Sequence, residues 1–415
     1  MNQREVCVSQ GESLKARAEA QLRSNDRDRY TVPSSRLYPH QWAWDSAFAA
    51  IGWLHIDPQR ALLELTTLFE GQWDDGRVPH IQFHILTGDY FPGPDSWGTE
   101  RTSTISNPPV WMLALERIFE CGHGHEQIRA MMPALERSVT FFHQQRDPLD
   151  WGVICTAHPW ENGLDNCPAW DAALEAINPE DAPQFTRVDK ERVEDPEQRP
   201  TDDQYKRYMA VVESITRAGF GLGDFAVYDP FLTTLVVRAE GVLGRFAQHF
   251  GMEDVAQRAA QRAQKLRQGL VQRLWSQELG RYRFYDARGK SWISPDALPA
   301  YSPLMLGDQI EGYAQMKATL KADFWATWPL PTVNPSSDLF EPERYWRGPA
   351  WINMNWLFAP ELGSELVDKT LELLQKVGFW EYFNPHTGRG LGTDGFAWSA
   401  ALGLDLMVRR EEGSS

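Results

Sequence analysis

Apolar residues return at helical spacing along almost the whole chain. In residues 57–70, Leu62, Leu65, Leu68 and Phe69 share one helical face, with Asp57 as N-cap and Pro58 at the first helical position. The same pattern predicts helices over 108–119, 201–220, 229–250, 253–275, 311–325, 346–358, 364–377 and 395–408, and Thr201 with Gln204 forms a capping box. Strand patterns are confined to 77–84 and to a hairpin over 281–292 that turns at Asp286–Gly289. Strands and helices do not alternate, which disfavours a doubly wound nucleotide-binding sheet. The glycine strings at 219–225 and 388–395 neither follow a strand nor carry the Lys-Ser/Thr of a phosphate loop. Amphipathic helices in pairs, about twelve in all, suit an all-α closed toroid whose long loops at one end build a site.

The helical pattern breaks at 179–203, which holds nine acidic residues, four basic residues and four prolines and reads as a mobile surface loop or lid. Charge then narrows the partners. With 41 Lys and Arg against 57 Asp and Glu over 415 residues, the net charge of −16 argues against nucleic acid or an anionic membrane. No apolar run is long enough to span a bilayer, and the N-terminal residues lack the apolar core of a secretory signal. Cys7, Cys121, Cys155 and Cys167 are scattered without a CxxC pair, so neither a zinc knuckle nor a disulfide framework is indicated, and a cytoplasmic location is expected. The sequence allows a homo-oligomer without specifying one.

Eighteen Trp residues change the picture, because several stand beside carboxylates. An indole offers a flat apolar face and one N–H, which suits a core and equally suits a sugar ring. In YPHQWAWD (38–45), a helix starting near Gln41 would put Asp45 one turn later on the same face, flanked by Trp42 and Trp44. In HPWENGLDNCPAWD (158–171), Gly163 implies a tight turn before Asp165, and Pro168 implies a helix start, which Asp165 or Asn166 would also suit as caps. In FWEYFNPHTGRGLGTDGFAW (379–398), Glu381 sits between Trp380 and Tyr382 in a turn-rich segment rather than on a solvated helix face. Two such carboxyl groups, one kept protonated by an apolar setting and one ionised, are the apparatus of glycoside hydrolysis. YWRGPAWINMNW (345–356) adds a further aromatic run with one arginine.

WENGLDNCPAW, YWRGPAWINMNWL, EYFNPHTGRGLGTDGFAW and YPHQWAWDSAF resemble blocks of glycoside hydrolase family 63, in its small bacterial branch of glucosylglycerate and mannosylglycerate hydrolases, with matches from about residue 30 to 405. The resemblance implies an (α/α)6 barrel forming one catalytic domain over 1–415, with 179–203 as a lid, and an inverting mechanism that needs no cofactor. By it, Asp165 is the general acid, the more desolvated carboxyl with a raised pKa, and Glu381 is the base that activates water and stays ionised at neutral pH. Inversion needs the two carboxyls roughly 6.5–9.5 Å apart. Tyr38, Trp42, Trp44, Asp45, Tyr345, Trp346, Gly348 and Trp351 would line the sugar subsite. Tyr90, Asn107, Arg207 and Tyr208 would hold the glycerate, with Arg207 supplying the positive charge that an anionic leaving group needs in an acidic protein.

Related enzymes often carry Gln where this chain has Asn107, and the Thr87–Thr102 loop looks compact; both bear on the aglycone side. The resemblance predicts a small, anionic glycoside as substrate. A neutral α-glucoside of trehalose or glucosylglycerol type, and a noncatalytic sugar-binding barrel, remain alternative readings. A phosphorylase has no need of a carboxylate base, so Glu381 weighs against it. No metal is expected: Cys121, His123 and His125 read as a glycine-rich loop, and His80 and His84 have no third ligand in view.

Overall fold

The computed structural model describes residues 13–86, 90–187, 189–193 and 195–412. Cys7 and the first three residues of the Thr87–Thr102 loop lie outside them.

Six elements close an inner ring, each packing on the next: helices Ala43–Leu54, Val110–Glu120 and Pro230–His249, the 3-10 segment Leu298–Leu306, and helices Ile352–Leu362 and Ala397–Glu412. Outer helices back them in turn: Leu14–Asn25, Pro58–Phe69, His125–Gln145, Glu253–Gly269, Tyr313–Asp323 and Ser364–Val377. The toroid is therefore an (α/α)6 ring in which one inner member is 3-10 rather than α. Helix Asp202–Arg217 stands outside this pairing and supports the loop end, packing on Pro94–Trp97, Asp171–Glu175 and Pro179–Asp181.

Local signals place several helix ends where they were expected. Asp57 accepts from the amides of Gln59 and Arg60 with Pro58 in the first turn, and Thr201 and Gln204 exchange both bonds of the capping box, at 3.2 and 3.0 Å. Asp229 caps Pro230–His249 in the same way.

Other boundaries differ. Gln41 lies in a short strand, Gln41–Trp42, paired antiparallel with Ile81–Gln82, so it shares no helical face with Asp45. Its side chain instead meets Glu64 and His84, away from the pocket. The helix expected from residue 346 begins at Ile352, because Pro349 removes a donor and holds Gly348 out of the helical region. The amides of Trp346 and Ala350 are committed elsewhere, to Asn166 Oδ1 and to the carbonyl of Phe383. The hairpin forms between Phe284–Asp286 and Ser291–Ile293, while Arg281–Tyr282 pairs back to Trp275–Ser276. Among the described residues no helix is long and apolar enough to cross a membrane. Cys155 and Cys167 are buried free thiols and Cys121 is an exposed one.

Candidate active site

The loops at one end of the ring enclose a pocket of about 880 Å³, counting its open mouth. Tyr38, Trp42, Trp44, Asp45, Tyr90, Asn107, Asp165, Tyr345, Trp346 and Glu381 all line it.

The first turn of Ala43–Leu54 carries Trp44 and Asp45 to the pocket floor. Trp44 meets Trp398 edge-on at 5.3 Å and Trp346 at 6.0 Å, and all three indoles line the pocket. Asp45 is only 6 % exposed, and burial, with the charges of Glu381 and Asp165 adding to it, holds its carboxyl well above the usual range.

Asp165 follows a backbone reversal at Gly163, whose φ of 82° and contact with the Trp44 ring both exclude a side chain there. The turn is pinned on every side. Tyr208 Oη donates to the Asp165 carbonyl at 2.9 Å, Trp170 Nε1 to the Leu164 carbonyl at 2.7 Å, and the Trp346 amide to Asn166 Oδ1 at 2.8 Å. Beneath it, Glu161 accepts from Arg146 Nε and Nη2 at 2.9 and 2.8 Å and from the amides of Ser106 and Ala157 at 3.0 and 2.8 Å, fastening three loops together. Burial pushes the Asp165 carboxyl up to about 7; Arg199 opposes this and Glu381 adds to it. A carboxyl in that condition holds a proton near neutral pH and can give it up.

Glu381 lies on strand Trp380–Phe383, paired with Gly390–Asp394, and is 1 % exposed. Tyr38 Oη donates to its Oε1 at 2.8 Å, and Arg199 Nη1 lies 3.4 Å from the same oxygen. Oε2 has no hydrogen-bond partner among the described residues and faces Gly392, where φ is +73° and a Cβ would strike the carboxylate. Burial raises this carboxyl too, but Arg199 and the hydroxyls of Tyr38 and Tyr345 pull it back. The two carboxyls thus differ in kind: among the described residues Glu381 has a hydrogen-bonded cation and Asp165 has none.

Four residues of the expected set lie behind the lining or away from it. Trp351 stacks on the back of Trp346, Tyr208 buttresses the Asp165 turn, and Gly348 permits a close approach to the carbonyl of Glu341. Arg207 is a correction. Its guanidinium is spent on the carbonyls of Leu174, Glu175 and Ile177 and on Asp203, so it closes the end of a short helix and does not reach the pocket. The cation in the pocket is Arg199, from the 179–203 segment, which also contributes Asp189 and Pro200 to the wall. Arg199 was hidden in the sequence by a segment whose charge and proline content suit a solvated loop; the only local signal is its position directly before Pro200. His80, Trp160, Tyr205 and Trp398 also line the pocket. His80 stacks on Trp160 and burial lowers its pKa to about 3, while His84 stacks on Tyr30, so the two rings have separate partners. Asn107 donates to the Trp160 carbonyl at 3.0 Å and leaves its own buried oxygen unpartnered.

A family model described as the mannosylglycerate hydrolase MGH1-like glycoside hydrolase domain matches residues 38–399. The chain is 37 % identical over 410 residues to the mannosylglycerate hydrolase of Thermus thermophilus, covering 92 % of this chain and 98 % of that one. It is 31 % identical over 439 residues to the glucosylglycerate hydrolase of Mycolicibacterium hassiacum, covering 95 % and 97 %. The crystal structure of the family 63 mannosylglycerate hydrolase from Thermus thermophilus in complex with Tris and D-glycerate matches with a TM-score of 0.90 at 36 % identity, over 95 % of this chain and 100 % of that one.

Proposed function

The chain belongs to the MGH1-like mannosylglycerate hydrolase family of glycoside hydrolases, and from that premise we propose that it cleaves an α-hexosyl glycerate, glucosyl or mannosyl, to the hexose and glycerate with inversion. The observation that carries the reading is the placement of one guanidinium, Arg199, in the same pocket as the unequal carboxyls Asp165 and Glu381. A carboxylate on the leaving group pairs with the planar fork of an arginine, which a neutral leaving group does not.

In this reading Trp44, Trp346 and Trp398 surround the hexose and Asp45 accepts from its hydroxyls. Asp165 protonates the glycosidic oxygen as the C–O bond breaks. Glu381 takes a proton from a water that attacks the opposite face, so the hexose leaves as the β-anomer. Arg199, with Tyr90, Asn107 and Tyr205 near it, receives the glycerate. The 179–203 segment supplies the wall that carries Arg199, and we read it as the part of a single catalytic domain that moves aside to admit substrate.

Proton NMR of the purified protein with α-glucosylglycerate and, separately, α-mannosylglycerate tests this directly. First release of the β-hexose from either is expected; release of the α-anomer overturns inversion, and no release from either overturns the glycerate assignment.

A further inference from the structure

Arg199 is already engaged in the pocket. Its Nη2 donates to Tyr38 Oη at 3.0 Å, its Nη1 lies 3.4 Å from Glu381 Oε1, its Nε lies 3.5 Å from Asp189 Oδ2, and its guanidinium centre stands 4.2 Å from the Tyr345 ring centroid. Tyr38 relays the contact by donating to the same Oε1. One edge of the guanidinium, Nη1 with Nη2, is therefore spent on the catalytic base and on the hydroxyl that orients it. That edge is also one that a bidentate carboxylate would use.

The groups facing Glu381 make this engagement consequential. Tyr38 comes from the loop before the first inner helix, Asp45 from that helix, Asp165 from the turn after Gly163, Tyr345 from the 345–351 segment, Tyr382 from its own strand, and Arg199 from the 179–203 wall. Of these, Arg199 alone is cationic, and Asp45 and Asp165 act in the opposite sense.

We propose that Arg199 is a latch on the base: in the arrangement seen here it holds Glu381 through Oε1 and Tyr38, and a carboxylate on the leaving group draws it away, so that Glu381 becomes a competent proton acceptor only when an anionic aglycone fills the pocket. The proposal rests on the glycerate reading above and adds to it. The aglycone carboxylate then contributes to turnover as well as to binding, and a neutral glycoside that fits the sugar subsite is held next to a restrained base.

The test uses α-glucosyl and α-mannosyl fluoride, which occupy the sugar subsite and leave the aglycone side open. In their hydrolysis the C–F bond breaks, fluoride departs, water adds to the sugar carbon, and the water's proton goes to Glu381; no general acid is needed. Titrating D-glycerate into the wild-type reaction, against sodium chloride at matched ionic strength, is expected to accelerate fluoride release by about threefold to tenfold, and to move the acid limb of the pH profile upward as the base loses its cation. Arg199→Gln is expected to release fluoride faster than wild type without glycerate and to ignore its addition. Inhibition by glycerate, or no response, in wild-type protein overturns the latch, and this arm requires no variant to fold. If the same preparation hydrolyses glycerate glycosides, the latch alone has failed. If it does not, the substrate reading has failed as well.

Discussion

The indole of Trp351 lies flat on that of Trp346, with ring centroids 3.7 Å apart and planes 5° from parallel, and only Trp346 of the two lines the pocket. Tyr382 continues the stack beneath Trp351 at 4.6 Å, next in sequence to Glu381. The column thus joins the sugar wall to the strand that carries the base. Trp351 Nε1 also donates to the carbonyl of Tyr345, at 3.1 Å. Trp351→Ala is expected to destabilise the fold by about 3–5 kcal/mol, the cost of emptying a buried indole site, and to raise KM for the glycoside because Trp346 loses its backing. Trp351→Phe keeps most of both. Thermal unfolding and steady-state kinetics on the two variants check this; an unchanged KM in Trp351→Ala would separate the column from substrate binding.

Asp165 and Glu381 yield a prediction with a defined sign. Asp165→Asn and Glu381→Gln are each expected to lower kcat by about 10²–10⁴-fold with unchanged far-UV circular dichroism. In the wild type, the acid must be protonated, so activity falls as the pH rises through about 7. Linkage gives a second readout. A carboxyl whose pKa is raised on folding contributes stability that is present below its unfolded value, near ~4, and is lost as the pH rises to the folded value. The melting temperature of Asp165→Asn relative to wild type is therefore expected to climb between pH 4 and about pH 7 and level off above that. A difference that does not change across this window would remove Asp165 as the raised group.

Arg199 takes the place in the pocket that the family resemblance assigns to Arg207. Arg207→Ala is expected to lower the melting temperature, since the carbonyls of Leu174, Glu175 and Ile177 lose their shared donor, while leaving KM for a carboxylated glycoside within about twofold. Arg199→Ala is expected to raise that KM by tenfold or more, the loss of about 1.4 kcal/mol or more of charge-assisted bonding. Isothermal titration with D-glycerate distinguishes them without turnover.

That difference shows where the sequence is legible. Helices with one apolar face and a strong cap, such as Pro58–Phe69 and Pro230–His249, are visible as pattern. Ala43–Leu54 is buried at all twelve positions, so it has no polar face to reveal its period, and it begins at Ala43 rather than near Gln41. His125–Gln145 escapes because Pro133 interrupts it. Within the site, the carboxyls and indoles stand out because they cluster in short aromatic blocks. Arg199 does not, because its role comes from a long-range approach to Tyr38 and Glu381, which lie 161 and 182 residues away in sequence.

Gly392 supplies a test of how closely the base is fitted. Its φ of +73° alone costs an L-residue about 1–2 kcal/mol, and an added Cβ would also strike Glu381 Oε2 and the Tyr382 ring. Gly251 has a similar φ of +70° and nothing within 4 Å of where its Cβ would be. Gly251→Ala therefore measures backbone strain alone, and Gly392→Ala measures strain plus displacement of the carboxylate. Gly251→Ala is expected to lose about 1 kcal/mol of stability at full activity, whereas Gly392→Ala loses kcat by about a hundredfold or more, since a shift of about 1 Å at a reacting group costs that much. Because Oε2 is the oxygen without a hydrogen-bond partner among the described residues, the loss should appear in kcat while the affinity for the hexose product is kept. Equal activity in the two variants would mean that the free oxygen of Glu381 tolerates displacement and is not the one that takes the proton.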